Sequence, residues 1–312
     1  MSEVDQFAVE DVMPDHKSGF VAVVGKPNVG KSTLVNQLVG YKVAIVSPKP
    51  QTTRSRILGI LTREDVQVIF IDTPGIHQPR HELGKAMVAA ATRAIPDSDA
   101  VLLVADVSTP PDVEEERIVE LIQQRTDSPV LLVLNKMDLL APDKVKRHTE
   151  AYWELVPKHR SWMMTRATTG VNLDKLLGLI VETLPVGPEY YPDDQITDQT
   201  ERQVAAELVR EQVLRHTRQE VPHAVAVVVT DFKERPGGAI YIAADVIVER
   251  DSQKGIIIGK RGSMLRKIGT ASRHEIERMV SGTVYLDLTV KVRKDWRSSG
   301  RDLQYLGLDR QG

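Results

Sequence analysis

Residues 25–32 have the types and the spacing that could hold a polyphosphate. The run Gly-Lys-Pro-Asn-Val-Gly-Lys-Ser follows an apolar stretch at 20–24 and leads into an amphipathic stretch at 32–39. In such a loop the backbone N–H groups wrap the phosphates, Lys31 reaches the β- and γ-phosphates, and the Ser32 hydroxyl can hold Mg²⁺. An ordinary turn is the plainer alternative, but the position between a strand and a helix favours a nucleoside triphosphate site. The predicted phosphate-binding residues here are Gly25, Lys26, Pro27, Asn28, Val29, Gly30, Lys31 and Ser32.

A second polar turn closes the predicted strand at 66–71. The Asp72 carboxylate can hold Mg²⁺ through its water shell, and the Gly75 N–H can meet a γ-phosphate. Asp, Pro and Gly also favour plain turns, so the prediction depends on the phosphate loop upstream. The residues predicted to lie at the phosphates are Asp72, Thr73, Pro74, Gly75 and Ile76.

A third turn, Asn-Lys-Met-Asp at 135–138, closes the predicted strand at 129–135. A fixed carboxylate such as Asp138 can accept from both the N1–H and the N2–H₂ of guanine, and adenine has neither donor on that edge. Asn135 can tie this turn to the phosphate loop, and the Lys136 stem can cover a face of the base. We therefore predict guanine binding by Asn135, Lys136, Met137 and Asp138.

Short apolar strands alternate with helical patterns around these turns. We predict strands at 20–24, 66–71, 100–106, 129–135 and 162–165, and helices at 32–39, 82–95, 113–124, 144–155 and 173–184. This alternation indicates an α/β domain with a mostly parallel, doubly wound sheet. In such a sheet ligands bind at the carboxyl ends of the strands, where all three turns lie.

The pattern changes after residue 184. A stretch rich in proline and acid at 185–194 indicates a linker. Beyond it we predict a helix at 200–216, strands at 224–231 and 240–250, a helical piece ending at 258, a helix at 264–280 and a strand at 283–293. The predicted division is a flexible segment at 1–18, a first domain at 19–184, a linker at 185–199, a smaller α+β domain at 200–298 and a tail at 299–312.

The composition is that of a globular protein, with 41% hydrophobic and 27% charged residues and a net charge of −2. The absence of cysteine removes disulfides, thiolate–zinc sites and cysteine nucleophiles. No run approaches the roughly 18 apolar residues of a membrane span, and no signal peptide is evident at 1–18. We expect a cytoplasmic protein, with peripheral membrane contact left open.

The second half contains a Gly-x-x-Gly loop inside a basic stretch. Residues 254–297 carry eleven Lys or Arg against four acids, a net charge of +7. Glycines let a nucleic-acid backbone approach closely, so this helix-first arrangement predicts a KH domain of type II that clamps about four unpaired nucleotides. A solvated basic face with an ordinary helix–helix turn is the alternative. The predicted RNA-binding residues are Ile258, Gly259, Lys260, Arg261, Gly262, Arg266 and Lys267.

The three turns of the first half together resemble those of P-loop GTPases of the translation-factor class. The resemblance implies a GTP–Mg²⁺ site and a switch threonine, for which we predict Thr53, with Thr52 as the alternative. It also implies that the Ala167 N–H meets the guanine O6, although Arg166 stands where the family has Ser. The implied metal ligands are Ser32, Thr53 and Asp72.

Ile76 stands where many signalling GTPases carry the Gln that orients the attacking water. We therefore expect slow hydrolysis of GTP to GDP and phosphate, with catalysis by positioning through Lys31, Thr53, Gly75 and Mg²⁺. We also hypothesise that Asn28 helps to seat a K⁺ ion beside the β- and γ-phosphates. The alternative for Asn28 is a turn residue only.

A GTPase domain followed directly by a helix-first KH domain closely resembles the Era GTPases, from about residue 19 to 308. The resemblance implies a GTP/GDP switch that binds the 3′ end of 16S ribosomal RNA and acts in assembly of the 30S subunit. We also expect a monomer, in the cytoplasm or at the inner face of the cell membrane. Two alternatives stay open. One is a KH adaptor with a degenerate GTPase domain, and the other is an ATP-dependent enzyme with a basic substrate domain.

Overall fold

The computed structural model describes residues 15–49, 51–79, 81–218 and 221–308. Its larger sheet has the strand order β2-β3-β1-β4-β5-β6; β2 runs antiparallel to β3 and the other neighbours are parallel. The strands are β1 (Lys17–Val24), β2 (Ile57–Arg63), β3 (Val66–Asp72), β4 (Ala100–Asp106), β5 (Val130–Asn135) and β6 (Ser161–Met164). The central strands are almost continuously apolar because helices cover both faces of the sheet.

Five helices cover this sheet: α1 (Lys31–Val39), α2 (Glu82–Arg93), α3 (Val113–Arg125), α4 (Val145–Leu155) and α5 (Leu173–Thr183). Residues of α1 and α5 share one core with one face of the sheet. Residues of α2, α3 and α4 share another core with the opposite face. The predicted mostly parallel, doubly wound sheet is confirmed, and the strand β2 is an addition to it.

A second, three-stranded sheet lies in the C-terminal half, with β8 central, antiparallel to β7 and parallel to β9. Its elements are α6 (Glu201–His216), α7 (Val221–Ala224), β7 (Ala226–Glu234), β8 (Ile240–Val248), α8 (Asp251–Ile258), α9 (Ser263–Val280), β9 (Val284–Val292) and α10 (Gly300–Tyr305). The helices α6 and α9 cover one face of this sheet, through residues such as Val213 and Ile268. This helix-first order is the predicted type II KH arrangement.

Part of the predicted linker extends the larger sheet. The Ile60 N–H donates to the Ile196 carbonyl at 2.9 Å, and Gly59 forms an antiparallel bridge with Thr197. The Leu58 N–H donates to the Asp198 carboxylate at 3.0 Å. Residues 196–198 therefore run along the outer edge of β2, and the proposed division at 185 and 200 stays a prediction.

The two ends of the chain bear on two further predictions. Residues 1–14 of the predicted flexible segment lie outside the described residues, whereas Lys17 and Ser18 belong to β1. The predicted tail contains α10, whose Leu303 is buried beside Trp296, and residues 309–312 lie outside the described residues. None of the helices in the described ranges has the length and apolar character needed to cross a bilayer.

Candidate functional site

The phosphate loop joins β1 to α1 and depends on left-handed backbone at two positions. Asn28 has φ 65° and Gly30 has φ 105°. A Cβ at Gly30 would lie 2.3 Å from the Asn135 amide nitrogen, so glycine is required on both steric and conformational grounds. This close approach brings the turn at 135–138, which is predicted to bind guanine, against the phosphate loop, as the sequence predicts for Asn135.

Lys31 is buried at the start of α1. Its ammonium donates to the carbonyls of Gly25 at 3.1 Å and Lys26 at 2.8 Å. Burial lowers the pKa of Lys31 to about 8, and the nearby Asp72 carboxylate partly offsets this effect. The loop thus holds a cation within its own backbone, where it can meet a phosphate.

Three oxygen-bearing side chains converge beside this lysine. The Ser32 Oγ lies 2.7 Å from the Thr53 Oγ1 and donates to the Asp72 Oδ2 at 2.6 Å. Burial raises the pKa of the Asp72 carboxyl to about 6, although its hydrogen bonds with Ser32 and Thr53 oppose the shift. The other carboxylate oxygen, Oδ1, is buried without a hydrogen-bond partner among the described residues. Two hydroxyls and one carboxylate with a spare oxygen fit the preference of Mg²⁺ for hard oxygen ligands.

The turn after β5 is fixed by the side chain of Asn135. Its amide donates to the Val29 carbonyl at 2.8 Å, and its oxygen accepts from the Ala167 N–H at 3.0 Å. The same oxygen accepts from the Thr165 hydroxyl at 3.1 Å. The predicted tie between this turn and the phosphate loop therefore exists, and the Ala167 N–H predicted for guanine already has an acceptor.

Asp138 and Lys136 follow Asn135 on the same turn. The Lys136 ammonium donates to Asp106 at 2.6 Å, and Lys136 lines the cavity described below. Arg166 lies beside Asp138, with its Nε 3.4 Å from the Asp138 Oδ2. The residue that departs from the family pattern thus contacts the carboxylate predicted to read guanine.

One cavity of about 370 Å³ joins the two ends of the site. Lys31, Ser32, Thr53 and Gly75 line it together with Asp138. The cavity therefore brings the predicted phosphate, metal and guanine groups to one place at the carboxyl ends of the strands.

Four predicted site residues point their side chains elsewhere. The Thr73 hydroxyl donates to the Val23 carbonyl at 2.7 Å, and Ile76 and Met137 pack with the core on one face of the sheet. The Lys26 ammonium contacts Asp112 at 2.8 Å and Glu115 at 3.0 Å. Burial alone would lower the pKa of Lys26, but these two carboxylates raise it. Only the backbone of these four residues is left to meet a ligand in the site.

We call residues 42–49 and 51–54 the switch segment, because it contains the predicted switch threonine. This segment lies against the second domain at both ends. Near its start, Ile45 packs into the core of that domain, and the buried Glu211 of α6 accepts from the Lys42 ammonium at 2.6 Å and the Val46 N–H at 3.1 Å.

The end of the switch segment is held by two buried arginines. Arg210 of α6 pairs with Glu207 at 2.6 Å and donates to the Thr52 carbonyl. The Arg54 guanidinium donates to the Val225 carbonyl at 2.7 Å and lies 5.6 Å from the ring centre of Trp296. Thr53 therefore stands between two residues that bind the second domain.

Sequence reasoning missed this contact. Arg54 lies in the run Gln-Thr-Thr-Arg at 51–54, where the sequence predicts a role for the threonines only. Arg210 and Glu211 lie in α6, more than 150 residues away, and nothing in the spacing of that helix marks them. A charged pair between apolar neighbours, Val209 and Val213, is the one signal that could have found them.

The Gly-x-x-Gly loop joins α8 to α9. Lys260 and Arg261 are exposed at its tip, between Gly259 at φ 70° and Gly262 at φ 76°. A Cβ at Gly259 would lie 2.9 Å from the Met264 nitrogen, so the tight turn requires glycine there. Ile258 ends α8, and Arg266 and Lys267 are exposed on the first turns of α9.

A groove of about 410 Å³ runs beside this loop. Gly262, Arg266, Leu286 and Leu288 are among its lining residues. Two of the predicted RNA-binding residues, Gly262 and Arg266, therefore lie at a groove whose lining also includes the apolar side chains of Leu286 and Leu288.

Comparisons with known proteins cover both halves of the chain. The model of the family described as 50S ribosome-binding GTPase matches residues 20–136, and that of the KH domain matches residues 220–297. GTPase Era of Geobacter metallireducens is 50% identical over 292 residues, which is 93% of this chain and 97% of that relative. GTPase Era of Rippkaea orientalis is 50% identical over 293 residues, or 93% of this chain and 92% of that relative.

Two solved structures are similar over nearly the whole chain. Era in complex with MgGDPNP and nucleotides 1506-1542 of 16S ribosomal RNA is 39% identical, with a TM-score of 0.91, and the match covers 95% of this chain and 100% of that one. An Aquifex aeolicus Era variant bound to GDP·AlF4⁻ is 38% identical, with a TM-score of 0.90, over 94% of this chain and 100% of that one. These matches extend over both domains, since the two family models lie in different halves of the chain. The chain therefore belongs to the Era family of GTPases.

Proposed function

We propose that this chain is a GTP-hydrolysing switch that binds the 3′ end of 16S ribosomal RNA and acts in assembly of the 30S subunit. The observation that carries the proposal is the cavity lined by Lys31, Ser32, Thr53 and Asp138, with the Asp72 carboxylate hydrogen-bonded to Ser32 beside it. The solved Era relative with MgGDPNP and a 16S ribosomal RNA fragment, matched over both domains, supports the same ligands here.

In this proposal Ser32, Thr53 and Asp72 would hold Mg²⁺, which neutralises charge on the β- and γ-phosphates when bound. Lys31 contributes a buried cation at the same phosphates, and its ammonium must exchange the carbonyls of Gly25 and Lys26 for phosphate oxygens. The phosphate loop contributes its backbone N–H groups. Because these groups are fixed before the reaction, they stabilise developing charge with little reorganisation.

Guanine selection is assigned to Asp138, whose carboxylate can accept two hydrogen bonds from the guanine edge. Isothermal calorimetry with GTP and with ATP tests this assignment. We expect micromolar or tighter GTP binding and no ATP binding, and the reverse preference would favour the ATP-dependent enzyme. Multiple-turnover phosphate release that disappears in Lys31→Ala would exclude a degenerate, non-hydrolysing GTPase domain.

The RNA half of the proposal depends on the Gly-x-x-Gly loop and its basic edge. The family description of the first domain names the 50S subunit, whereas the solved relative matched over both domains holds 16S ribosomal RNA. We follow the relative because it includes the KH domain. Cross-linking to RNA in cells, followed by sequencing, should recover the 3′ end of 16S ribosomal RNA, and enrichment of large-subunit RNA instead would refute this target.

The switch segment provides the coupling between the two activities. Thr53 belongs to the oxygen set, and its neighbours Thr52 and Arg54 bind the second domain. A γ-phosphate that repositions Thr53 must therefore shift contacts with α6 and with the start of β7. We propose that this is how GTP changes the affinity of the KH domain for RNA.

Three finer features complete the proposal. A K⁺ ion seated by Asn28 would speed hydrolysis, and equal rates in K⁺ and Na⁺ buffers would remove it. Asn28 also donates to the Pro48 carbonyl at 3.4 Å, which connects the phosphate loop with the switch segment.

We further propose a cytoplasmic monomer, and light scattering tests its oligomeric state. Vesicle sedimentation tests peripheral membrane contact.

A further inference from the structure

Ile76 leaves the attacking water without the group that many GTPases provide at that position. Its side chain is hydrocarbon, 9% exposed, and packed in the core shared by β1, β3 and α3. It can neither donate nor accept a hydrogen bond. Any group that orients the water has to come from another wall of the nucleotide cavity.

Gln51 lies in that wall. It lines the same cavity as Thr53 and Gly75, two residues expected to face the γ-phosphate. Its backbone is left-handed, with φ 61°, a conformation that a residue other than glycine holds at some cost. Its side-chain oxygen, Oε1, is buried and has no hydrogen-bond partner among the described residues. A buried, unpaired amide oxygen destabilises a folded protein and calls for an explanation such as catalysis.

His77 determines which way this amide faces. The His77 Nδ1 lies 2.8 Å from the Gly75 carbonyl, which can only accept, so Nδ1 carries the proton. In the neutral ring Nε2 is then an acceptor, and it receives the Gln51 amide N–H at 3.1 Å. With its nitrogen bound to His77, the amide is left with its oxygen free.

We propose that Gln51 is a catalytic residue for GTP hydrolysis, and that His77 is its positioning residue. This inference rests on the proposed function of the site. When GTP occupies the site, the Gln51 amide turns its oxygen from this buried position toward the cavity, where it accepts a hydrogen bond from the attacking water and aligns it with the γ-phosphate. The water oxygen then bonds to the γ-phosphorus as the bond to the β–γ bridging oxygen breaks. The electron pair of that bond leaves with GDP, and the water proton passes to a phosphate oxygen of the product, so Gln51 stays neutral throughout.

The variants Gln51→Ala and Gln51→Met, in the full chain, test this assignment. Methionine keeps the length of the side chain and removes both hydrogen-bonding groups. Aligning one reactant contributes to the rate rather than to substrate binding, so we expect single-turnover hydrolysis of bound GTP to fall about 10- to 100-fold. Affinities for GDP and GDPNP should stay within about threefold of wild type, because the interactions that bind the nucleotide in its ground state are unchanged. Gln123→Ala, an exposed glutamine on α3, is the matched control and should hydrolyse GTP at the wild-type rate.

Binding of GDP with AlF4⁻ separates a catalytic role from a structural one. This transition-state analogue should bind at least tenfold more weakly to Gln51→Ala, while GDP alone binds as before. His77→Ala should lower the hydrolysis rate similarly, and the double variant should be no slower than Gln51→Ala, because the two residues act as a unit.

Wild-type hydrolysis in both Gln51 variants would overturn the inference. A rate loss matched by an equal loss of GDPNP affinity would also overturn it, because Gln51 would then serve ground-state binding. Failure of the proposed function is distinguishable, since in that case the wild-type protein itself would not bind or hydrolyse GTP.

Discussion

At the scale of single residues, the nucleotide site is built from charges that the fold keeps out of water. Lys31 and Asp72 are both buried. Burial lowers the pKa of Lys31 and raises the pKa of Asp72, so that it favours the neutral form of each group. Such groups destabilise a protein unless a ligand compensates them. Their presence at the end of β3 and the start of α1 indicates stability given up for phosphate and metal binding.

Replacing Asp72 should therefore stabilise the protein without nucleotide. Because burial raises its pKa from 3.8 to about 6, the folded chain holds this proton more tightly than the unfolded chain does. The resulting stabilisation is complete below pH 3.8 and is lost as the pH rises through 6. We expect Asp72→Asn to raise Tm at pH 7.5 by about 3–6 °C and to have little effect at pH 4. Differential scanning calorimetry checks this, and an unchanged Tm at pH 7.5 would contradict it.

Replacing Asp138 should change the preferred base. In Asp138→Asn the side chain offers one acceptor and one donor, which matches xanthine, with its oxygen at position 2, rather than guanine. We expect GTP affinity to fall about 100-fold or more, as two hydrogen bonds to a charged group are lost, and affinity for xanthosine triphosphate to rise. Calorimetry measures both. Asp143→Asn, five residues away and exposed, is the control, and unaltered GTP binding by Asp138→Asn would refute the guanine assignment.

At the scale of elements, the sequence predicts those turns and helices whose backbone conformation is determined by neighbouring residues. The phosphate loop and the turn after β5 could be predicted because their residue types fix both the chain path and the chemistry. The strand β2 could not, since the hairpin from β2 to β3 turns through Glu64 and Asp65, which lack the usual glycine signal. The partners of Gln51 and Arg54 also could not, because they depend on how distant segments pack.

The loop between α8 and α9 should act independently of the nucleotide site. Charge reversal in the double variant Lys260→Asp/Arg261→Asp replaces two exposed cations by anions where a backbone phosphate must approach. We expect affinity for a single-stranded RNA of the 16S 3′ end to fall at least tenfold and GTP hydrolysis without RNA to stay unchanged. Fluorescence anisotropy at several salt concentrations measures the affinity. Lys146→Asp/Arg147→Asp, exposed on α4, is the control double variant. An equal loss of RNA affinity in the two double variants would argue against a specific KH contact.

At the scale of the whole molecule, the two domains meet through the switch segment and through α2. Leu83 and Met87 of α2 pack with Trp296 and Leu303, beside the Arg54 contact. The second domain therefore touches both regions that a γ-phosphate is expected to move. This arrangement is the structural basis for the proposed coupling between the nucleotide and the KH domain.

Removing one arginine should uncouple the two domains. Arg210→Met keeps the apolar stem and loses the hydrogen bond to the Thr52 carbonyl, while Glu207 is left partly exposed to water. We expect RNA affinity to become the same with GDP and with GDPNP, whereas GTP affinity changes little. Titration of RNA in both nucleotide states measures the difference. Arg202→Met, exposed at the start of the same helix, should behave as wild type, and a preserved nucleotide effect in Arg210→Met would rule out this route.

The attachment of residues 196–198 to the edge of β2 restricts how the molecule can change shape. Those residues are hydrogen-bonded to the first domain up to Asp198, and α6 begins at Glu201. Any rigid-body rotation of the KH domain must turn about the two residues Gln199 and Thr200, or else break the hydrogen bond between Ile60 and Ile196. A connection of two residues limits the directions in which the domain can rotate. The attachment at the edge of β2 therefore helps to determine the movement of the KH domain, together with the nucleotide.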